Sequence, residues 1–571
     1  MTRIAIDPIT RIEGHLRIEA RVENGVVADA WSSSTMFRGM EIVLKDRDPR
    51  DAWLFAQRIC GVCTTVHALA SVRAVEDALD IEIPPNAQHI RNIIAGTQWV
   101  QDHVIHFYHL HALDWVDVLN ALKADPRETS RIAQSISPWP KSSPEYFKAV
   151  QDRLGKLGQS GADLGLFANG YWGHPAYKLP PAVNLLAVAH YLEALEWQRE
   201  VIKVQAILGA KNPHPQTYLV GGMAIPVDPA SQAAINDHRL AEQLRLIRLA
   251  KTFVEQVYIP DLLAIGGAYK DWAKHGTSAG NYLSYGDFPS AGSRDPKAFW
   301  IPRGIIAHND LSRVLPLDEK HIAENVAHSW FTYSDGDRAV KHPLDGETTP
   351  KYTGPKPPYE FLQTDEKYSW VKAPRYDGMP MEVGPLARML IGHAAGHPQI
   401  RPAVDKTCGA LGVPVSALCS TLGRVVARGI ETQLMVDRVL QWHDELVANI
   451  ASGDLRVHNG AKWDPATWPQ AAAGWGPHEG PRGSLGHWIR IKNRAIENYQ
   501  CVVPTTWNSS PRDAAGVRGP YETALLGTPV ADPQRPLEIL RTVHSFDPCM
   551  ACAVHVTGPD GSVSVNVERA V

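Results

Sequence analysis

The sequence predicts a multidomain α+β chain, mainly α, with a central bundle of long helices and small β-hairpin regions at the N-terminal end and near the C-terminus. Three observations carry this. Four stretches, at about 86–124, 182–211, 229–275 and 414–451, repeat apolar residues at helical spacing over lengths typical of a helix bundle. Alternation of apolar and polar residues, the mark of a half-buried strand, is confined to the two ends of the chain. The 571 residues are enough for a large core, yet no repeat, low-complexity tract or linker divides them. The chain therefore reads as a single intertwined subunit. Its regions are an N-terminal β region (1–50), a helical core (51–275), a loop-rich excursion (276–375), a helical and β region (376–555) and a tail (556–571).

The elements follow in order. "GHLRIEARVENGVVADAWSSS" alternates on both sides of Asn24-Gly25, a dipeptide that tolerates the positive φ of a tight hairpin. Asp48 before Pro49 is a good N-cap followed by a good first helical residue, and a short helix carries the chain to Cys60. Thr64 and Thr65 cap a second helix in which Val66, Leu69, Val72 and Leu79 recur. Pro84 and Pro85 stop it, and Asn86 caps the long helix to about Ala124, with a stripe through Ile90, Ile94, Val104 and Tyr108. Between 276 and 375, Pro, Gly, Asp, Tyr and Trp without periodicity read as loops wrapped on the surface. "GHWIRIKNRAIENYQCVVPTTW" returns to alternation around Asn493, and the tail has the pattern of a third hairpin at Pro559-Asp560-Gly561.

Composition narrows the function. Lys and Arg number 57 against 61 Asp and Glu, so no basic footprint recommends nucleic acid and no global bias favours acidic substrates. The first residues lack the basic-then-apolar layout of a secretory signal, and no run of 18 apolar residues follows, so any export or membrane contact is expected through a partner. Seven cysteines are too few, and odd in number, for a disulfide framework. Cys408, Cys419 and Cys501 stand alone and read as small buried residues. The other four form two C-x-x-C pairs, Cys60 with Cys63 and Cys549 with Cys552.

Thiolates are soft donors for zinc, iron, copper(I) or nickel, and four of them complete a tetrahedral site. A structural zinc stapling the chain ends together is one reading. Zinc staples, however, usually gather their ligands within a few tens of residues to support a small fold. Ligands drawn from residues 60 and 549 point instead to a site deep in a large scaffold, as catalysis requires, and His555 extends the second pair to C-x-x-C-x-x-H. Five histidines, His89, His103, His106, His109 and His111, share the long helix, but their spacing spreads them over several faces, which favours packing over a metal box.

"RICGVCTTVHA" and "DPCMACAVH", with "DPITRIEGHLRIE", "FRGME", "GPRGSLGHW" and "VVPTTWNSSPRD" in order between them and around them, resemble the signatures of the large, catalytic subunit of nickel-iron hydrogenases, over residues 6–571. The likeness is to the membrane-associated, periplasmic uptake type. A related subunit of respiratory NADH dehydrogenase shares the fold but lacks the cysteines. The resemblance implies nickel on all four thiolates, with Cys63 and Cys552 bridging to an iron that carries carbon monoxide and cyanide, and Cys60 and Cys549 terminal. Splitting dihydrogen needs a Lewis acid and a base, and the resemblance makes Cys549 that base. It makes Glu13 the proton relay, otherwise a solvated strand carboxylate, and Arg482 the guanidinium over the metal, otherwise a surface residue beside a turn. Asp102, Asp547 and Pro481 complete a canopy around that arginine, and Thr505 supplies a hydroxyl to a cyanide. Asp547 is alternatively a turn residue before Pro548. Glu41, the Cys501 carbonyl and His555 match a magnesium-type site, for which the imidazole leaves iron or zinc open.

The same resemblance implies partners: dihydrogen as substrate, a small subunit carrying the iron-sulfur clusters for which this chain has no cysteines to spare, nickel-insertion chaperones, and an endopeptidase that cuts after His555. The residues after His555 then read as the unprocessed form of a subunit exported to the periplasm with its partner, with an ordinary terminal hairpin as the alternative. Against this enzyme stands a zinc-stapled, non-catalytic scaffold of a redox complex.

Overall fold

The fold is taken from a computed structural model of the chain, which describes residues 2–159, 165–168, 170–355 and 361–553. The expected tail hairpin at 556–571 and His555 lie outside these residues. The described fold is mixed α and β, dominated by helix, as the sequence predicts.

Three antiparallel strands open the chain in the order β1 (Thr2–Ile6), β2 (Leu16–Glu23) and β3 (Val26–Ser34). Asn24 (φ 51°) and Gly25 (φ 76°) form the predicted turn, and Val22 pairs with Val27 across it. Strand β1, outside the predicted hairpin, pairs Ile4 with Ala20. Leu16, Ile18, Ala20 and Val22 alternate onto one buried face, and this face shares a hydrophobic cluster with Ile539, Val543, Phe546 and Met550 from the far end of the chain. This seam is what brings the two cysteine pairs together. Closing a loop spanning 489 residues costs about 5–6 kcal/mol in a flexible-chain estimate. Leu16, Ile18, Ile539 and Val543, all at most 1 % exposed, contribute about 1.5–3 kcal/mol each, which is enough to offset it.

The helices that frame the site are α1 (Val66–Ala78), α2 (Pro85–Ile105), α3 (Pro181–Val201), α4 (Asp237–Phe253), α5 (Pro385–Ala394) and α6 (Thr421–Ala451). The bundle centres on the crossing of α2 with α6, flanked by α3 and α4. Helix α2 is buried on every side from Asn86 to Val104 although many of its residues are polar. Each polar face therefore needs an internal partner. Arg91 donates twice to Glu76, Asn92 donates to the Pro289 carbonyl, and His103 pairs with Glu431 on α6.

Several expected boundaries move, each for a visible reason. The helix expected to run to Ala124 is α-helical only to Ile105 and then widens into a π turn over His106–His111. There His106 and His111 bond to the carbonyls of His544 and Arg541. Helix α4 starts at Asp237 rather than near 229, because the Asn236 side chain accepts the Arg239 amide. Helix α6 starts at Thr421 rather than 414, because the Ser420 hydroxyl accepts the Gly423 amide. The excursion at 276–375 is loop-rich, with strands of two to four residues, but it is not confined to the surface: Asp287, Glu324 and Lys372 are buried.

Strands β4 (Ala471–Gly480), β5 (Gly483–Lys492) and β6 (Ala495–Val502) form a second antiparallel sheet, to which β4 adds a strand the alternation did not predict. Helix α1 lies directly on β4. A Cβ on Gly476 would stand 2.0 Å from the Ala70 carbonyl oxygen, so only glycine permits this approach. After β6 come a short helix, α7 (Pro504–Asn508), and α8 (Leu537–Ser545), which delivers the second cysteine pair.

Candidate metal centre

The two cysteine loops meet. Cys60 leaves the helical turn Gln57–Ile59 in an extended conformation, and Cys549 and Cys552 follow α8 through Pro548. The Sγ atoms of Cys60 and Cys549 are 3.5 Å apart, Cys63 and Cys549 3.9 Å, Cys63 and Cys552 3.1 Å, and Cys549 and Cys552 3.0 Å. All four are buried, none is in a disulfide, and they form the sole cluster of potential metal ligands among the described residues. Metal–thiolate bonds of about 2.3 Å in a tetrahedron place sulfurs about 3.8 Å apart, so the cradle fits a thiolate-bound metal with slight expansion.

The sulfurs are not equivalent. The amides of Val62 and Cys63 both point at the Cys60 sulfur, at 3.3 Å each. Against burial, hydrogen bonds from Cys549, Cys552 and Cys63 hold the Cys60 thiol well below its ordinary value. Cys549 instead faces a carboxyl group: its sulfur lies 3.3 Å from Glu13 Oε2.

Glu13 is half-buried rather than solvated. Its amide donates to the Pro548 carbonyl, its own carbonyl accepts the Met550 amide at 2.7 Å, and Oε2 accepts the Ala551 amide at 2.9 Å. Burial, and then the charge on Cys60, push its carboxyl group up to about 7. At neutral pH it can both take and release a proton.

Arg482 is buried at the turn between β4 and β5, not on the surface. Its Nη2 donates to Asp547 at 3.0 Å, Nη1 reaches Asp102 at 3.3 Å, and Nε donates to the Asp547 carbonyl. Asp547 adopts φ 60°, so it is the turn residue of the alternative reading and an ion-pair partner at once. Burial pushes Asp102 up to about 7 in spite of Arg482. Pro481 and Thr505 line one small cavity with Cys63, Arg482, Cys549 and Cys552. The Thr505 hydroxyl accepts the Cys549 amide at 3.1 Å, and the Pro481 carbonyl accepts from Arg388.

Glu41 lies in a separate cavity with Cys501, Glu324, Thr348 and Lys372. Its carboxylate accepts the Cys501 amide at 2.9 Å and the Thr348 hydroxyl. Neither carboxylate oxygen of buried Glu324 has a hydrogen-bond partner, with the Lys372 ammonium 3.6 Å away, and burial pushes this carboxyl group up to about 7. An orphaned carboxylate beside a second one suits a hydrated divalent cation.

The five helix histidines do not converge. His103 bonds to Glu431, while His106 and His109 bond to backbone carbonyls and His111 to the carbonyl of Arg541, which agrees with packing.

Several site residues escaped the sequence reading. Gln98 donates to Asp102 at 2.6 Å and to the Val62 carbonyl, tying the canopy to the cysteine loop. Its place four residues before Asp102 on one helix was a usable signal. His67 lines the cavity by the sulfurs and is backed by His487, at 3.0 Å, and Tyr499 beyond it, at 2.6 Å. Its position four residues after Cys63 was the signal there.

Comparison with known proteins gives concordant likenesses. The family model "Nickel-dependent hydrogenase" matches residues 38–555, and one described as HoxL-like matches 3–33. The uptake hydrogenase large subunit of Rhizobium leguminosarum bv. viciae is 52% identical, over 99% of this chain and 97% of that protein. The hydrogenase-1 large chain of Escherichia coli K12 is 50% identical over the same shares. The reduced Ni-Fe-Se hydrogenase of Desulfovibrio vulgaris Hildenborough superimposes with a TM-score of 0.76 at 35% identity, covering 97% of this chain and all of that one.

Proposed function

The chain belongs to the nickel-dependent hydrogenase family, and from that premise we propose how its residues serve the splitting of dihydrogen and where the protein works. It is an oxidoreductase, a nickel-iron hydrogenase large subunit. The likenesses give no support to a zinc-stapled scaffold. The observation that carries the reading is the convergence of Cys60, Cys63, Cys549 and Cys552 within hydrogen-bonding reach of one another.

These four thiolates would hold the metals, with Cys63 and Cys552 serving the iron as well as the nickel and carbon monoxide and cyanide completing the iron's ligands. When bound, the nickel-iron centre supplies the Lewis acid that polarises dihydrogen. Cys549 takes the proton and Glu13, 3.3 Å away, carries it outward. Arg482 presents a fixed positive charge to the site and is itself held by Asp102 and Asp547. Pro481 and Thr505 shape the small cavity on the Cys63 and Cys552 side, which suits small diatomic ligands, with the Thr505 hydroxyl available to a cyanide. Glu41, the Cys501 carbonyl and His555 would hold a magnesium ion. The buried Glu324 carboxylate in the same cavity, which accepts no hydrogen bond and is paired only with the Lys372 ammonium 3.6 Å away, supports that reading.

Electrons leave through an iron-sulfur small subunit. Gly61 and Val62, between the first two cysteines, are exposed while the sulfurs are buried. His214 contacts the Cys60 carbonyl at 3.0 Å, and this exposed loop beside the sulfurs is where the partner would dock. Maturation would use nickel-insertion chaperones and an endopeptidase cutting after His555. The mature heterodimer would sit in the periplasm, membrane-associated through the small subunit, which rests on the uptake-type resemblance. No helix among the described residues is long and apolar enough to cross a membrane.

Metal analysis with infrared spectroscopy tests the assignment. Nickel, with iron in excess of it because the partner's clusters add their own, and carbon monoxide and cyanide bands are expected in the processed heterodimer; zinc without nickel would overturn it.

A further inference from the structure

Glu13 acts only if it is held against Cys549, and the segment that carries it, between β1 and β2, has no regular structure of its own. What holds it lies two residues upstream. Arg11, at φ 55°, sends Nη2 to Asp114 and donates from Nη1 to the Leu110 carbonyl at 2.8 Å. Asp114, fully buried in the helical turn Ala112–Asp114 that follows the π turn, accepts His544 Nδ1 on its other oxygen at 2.6 Å. The Nε2 of the same imidazole reaches back to the Thr10 carbonyl at 2.8 Å. A carboxylate and a carbonyl only accept hydrogen bonds, so each ring nitrogen of His544 faces an acceptor from a different part of the chain. Although burial works against it, Arg11 and His544 together hold the Asp114 carboxyl group far below its ordinary value.

The result is a largely buried polar cluster, built on the Arg11–Asp114 ion pair, that joins three distant parts of the chain. His544 ends α8 three residues before Asp547, the partner of Arg482, and five before Cys549. Arg11 precedes Glu13 by two, and Gly14 continues the close approach: a Cβ there would stand 2.5 Å from the Ala551 amide. One imidazole thus ties the loop of the relay carboxylate to the segment of the terminal cysteine and the canopy. A buried ion pair is a poor way to gain stability, since well-packed apolar residues do as well or better; what it adds is a single geometry.

We propose that Arg11, Asp114 and His544 are positioning residues that fix the separation of Glu13 from Cys549. They touch neither substrate nor metal. The inference rests on the relay reading of Glu13, so its test must separate the two.

The test uses the processed heterodimer with Arg11→Gln, Arg11→Lys and Asp114→Asn, and Glu13→Gln as reference. Amide hydrogen exchange is read at residues 13, 550 and 551, beside metal content and deuterium exchange between D2 and water. Arg11→Gln and Asp114→Asn should speed amide exchange at these three positions by about tenfold or more. They should slow isotope exchange by about 10- to 100-fold with nickel and iron retained, and Arg11→Lys should recover part of both. Parental amide protection and isotope exchange in both variants would overturn the proposal, as would loss of the metals in both, which marks a purely structural role. If Glu13→Gln itself exchanges deuterium at the parental rate, the relay reading fails whatever the clamp variants do to amide exchange.

Discussion

Glu13→Gln separates the acid function of this residue from its structural one. Oε2 accepts the Ala551 amide at 2.9 Å, and the backbone of Glu13 makes two further hydrogen bonds to the segment of Cys549. An amide oxygen replaces the first, and the backbone bonds do not involve the side chain. The Cys549 sulfur, 3.3 Å away, meets the same Oε2, so an amide oxygen keeps that contact too, and what is lost is a titratable acceptor in exchange for a neutral one, worth about 1 kcal/mol. Metal content and melting temperature should therefore stay close to parental. The rate should not. A positioned general acid–base group contributes about 10²- to 10⁴-fold, or about 3–5 kcal/mol of barrier, and glutamine supplies none of it. Deuterium exchange between D2 and water should fall by that range, together with hydrogen oxidation by an artificial acceptor. An enzyme with full nickel and iron that exchanges within twofold of the parent would refute the argument, because the proton would then leave Cys549 by a path that avoids Glu13.

Arg482→Lys should cut hydrogen oxidation by about 100-fold, as for loss of one preorganised electrostatic contact, since one ammonium cannot serve Asp102 together with the Asp547 carboxylate and backbone carbonyl at their present distances; activity within threefold of parental would count against the canopy. Thr505→Val leaves the buried Cys549 amide without its acceptor, and thermal unfolding should report a loss of about 1–3 kcal/mol. Glu522 has its carboxyl group pushed up to about 7, by burial against hydrogen bonds from the Ser32 amide and Tyr368. Its folded-state value lies above the unfolded one, so it costs nothing below pH 4 and its penalty grows until about pH 7, reaching about 3 kcal/mol. Glu522→Gln should flatten the decline in stability between pH 5 and 8, and equal slopes in urea unfolding would contradict this.

Much of this chemistry was legible because it was written at short range. C-x-x-C spacing survives any ambiguity about the fold, since it needs only one turn of chain to face both sulfurs at one ion. The hairpin at Asn24-Gly25 follows from local propensity in the same way, and so does the long helix itself, although it starts at Pro85 and the Asn86 side chain, expected as its cap, donates instead to the Asp454 and Arg456 carbonyls. Helix limits moved where a single side chain decided the start, as at Asn236 and Ser420, or where a distant carbonyl did, as at the π turn. Strand β4 carries several glycines, which dilute its alternation, and its reason for being a strand is the helix lying on it. Glu324 and the Arg11, Asp114 and His544 cluster were invisible for another reason. Their partners lie tens to hundreds of residues away, and an isolated charge in a sequence gives no sign of burial.

The division of the core explains how a site with ligands from both chain ends can be rigid. Cys60 and Cys63 belong to the main helical cluster built on α2 and α6, whereas the strand face of the N-terminus packs with α8 in a second, smaller cluster. The second cysteine pair lies on their boundary: Met550 is buried in the small cluster while Cys549 and Cys552 turn into the large one. All four cysteines thus sit in the main cluster, while the chain that carries the second pair is held through Met550 and α8 by the smaller one, so the sulfurs meet only when the two clusters are docked. Apolar burial alone is non-directional and tolerates sliding. The polar ties across this boundary, Arg482 to Asp547, Thr505 to the Cys549 amide and Glu13 to residues 548–551, set the register that burial leaves free. These groups therefore place the four sulfurs before any of them can take part in moving a proton.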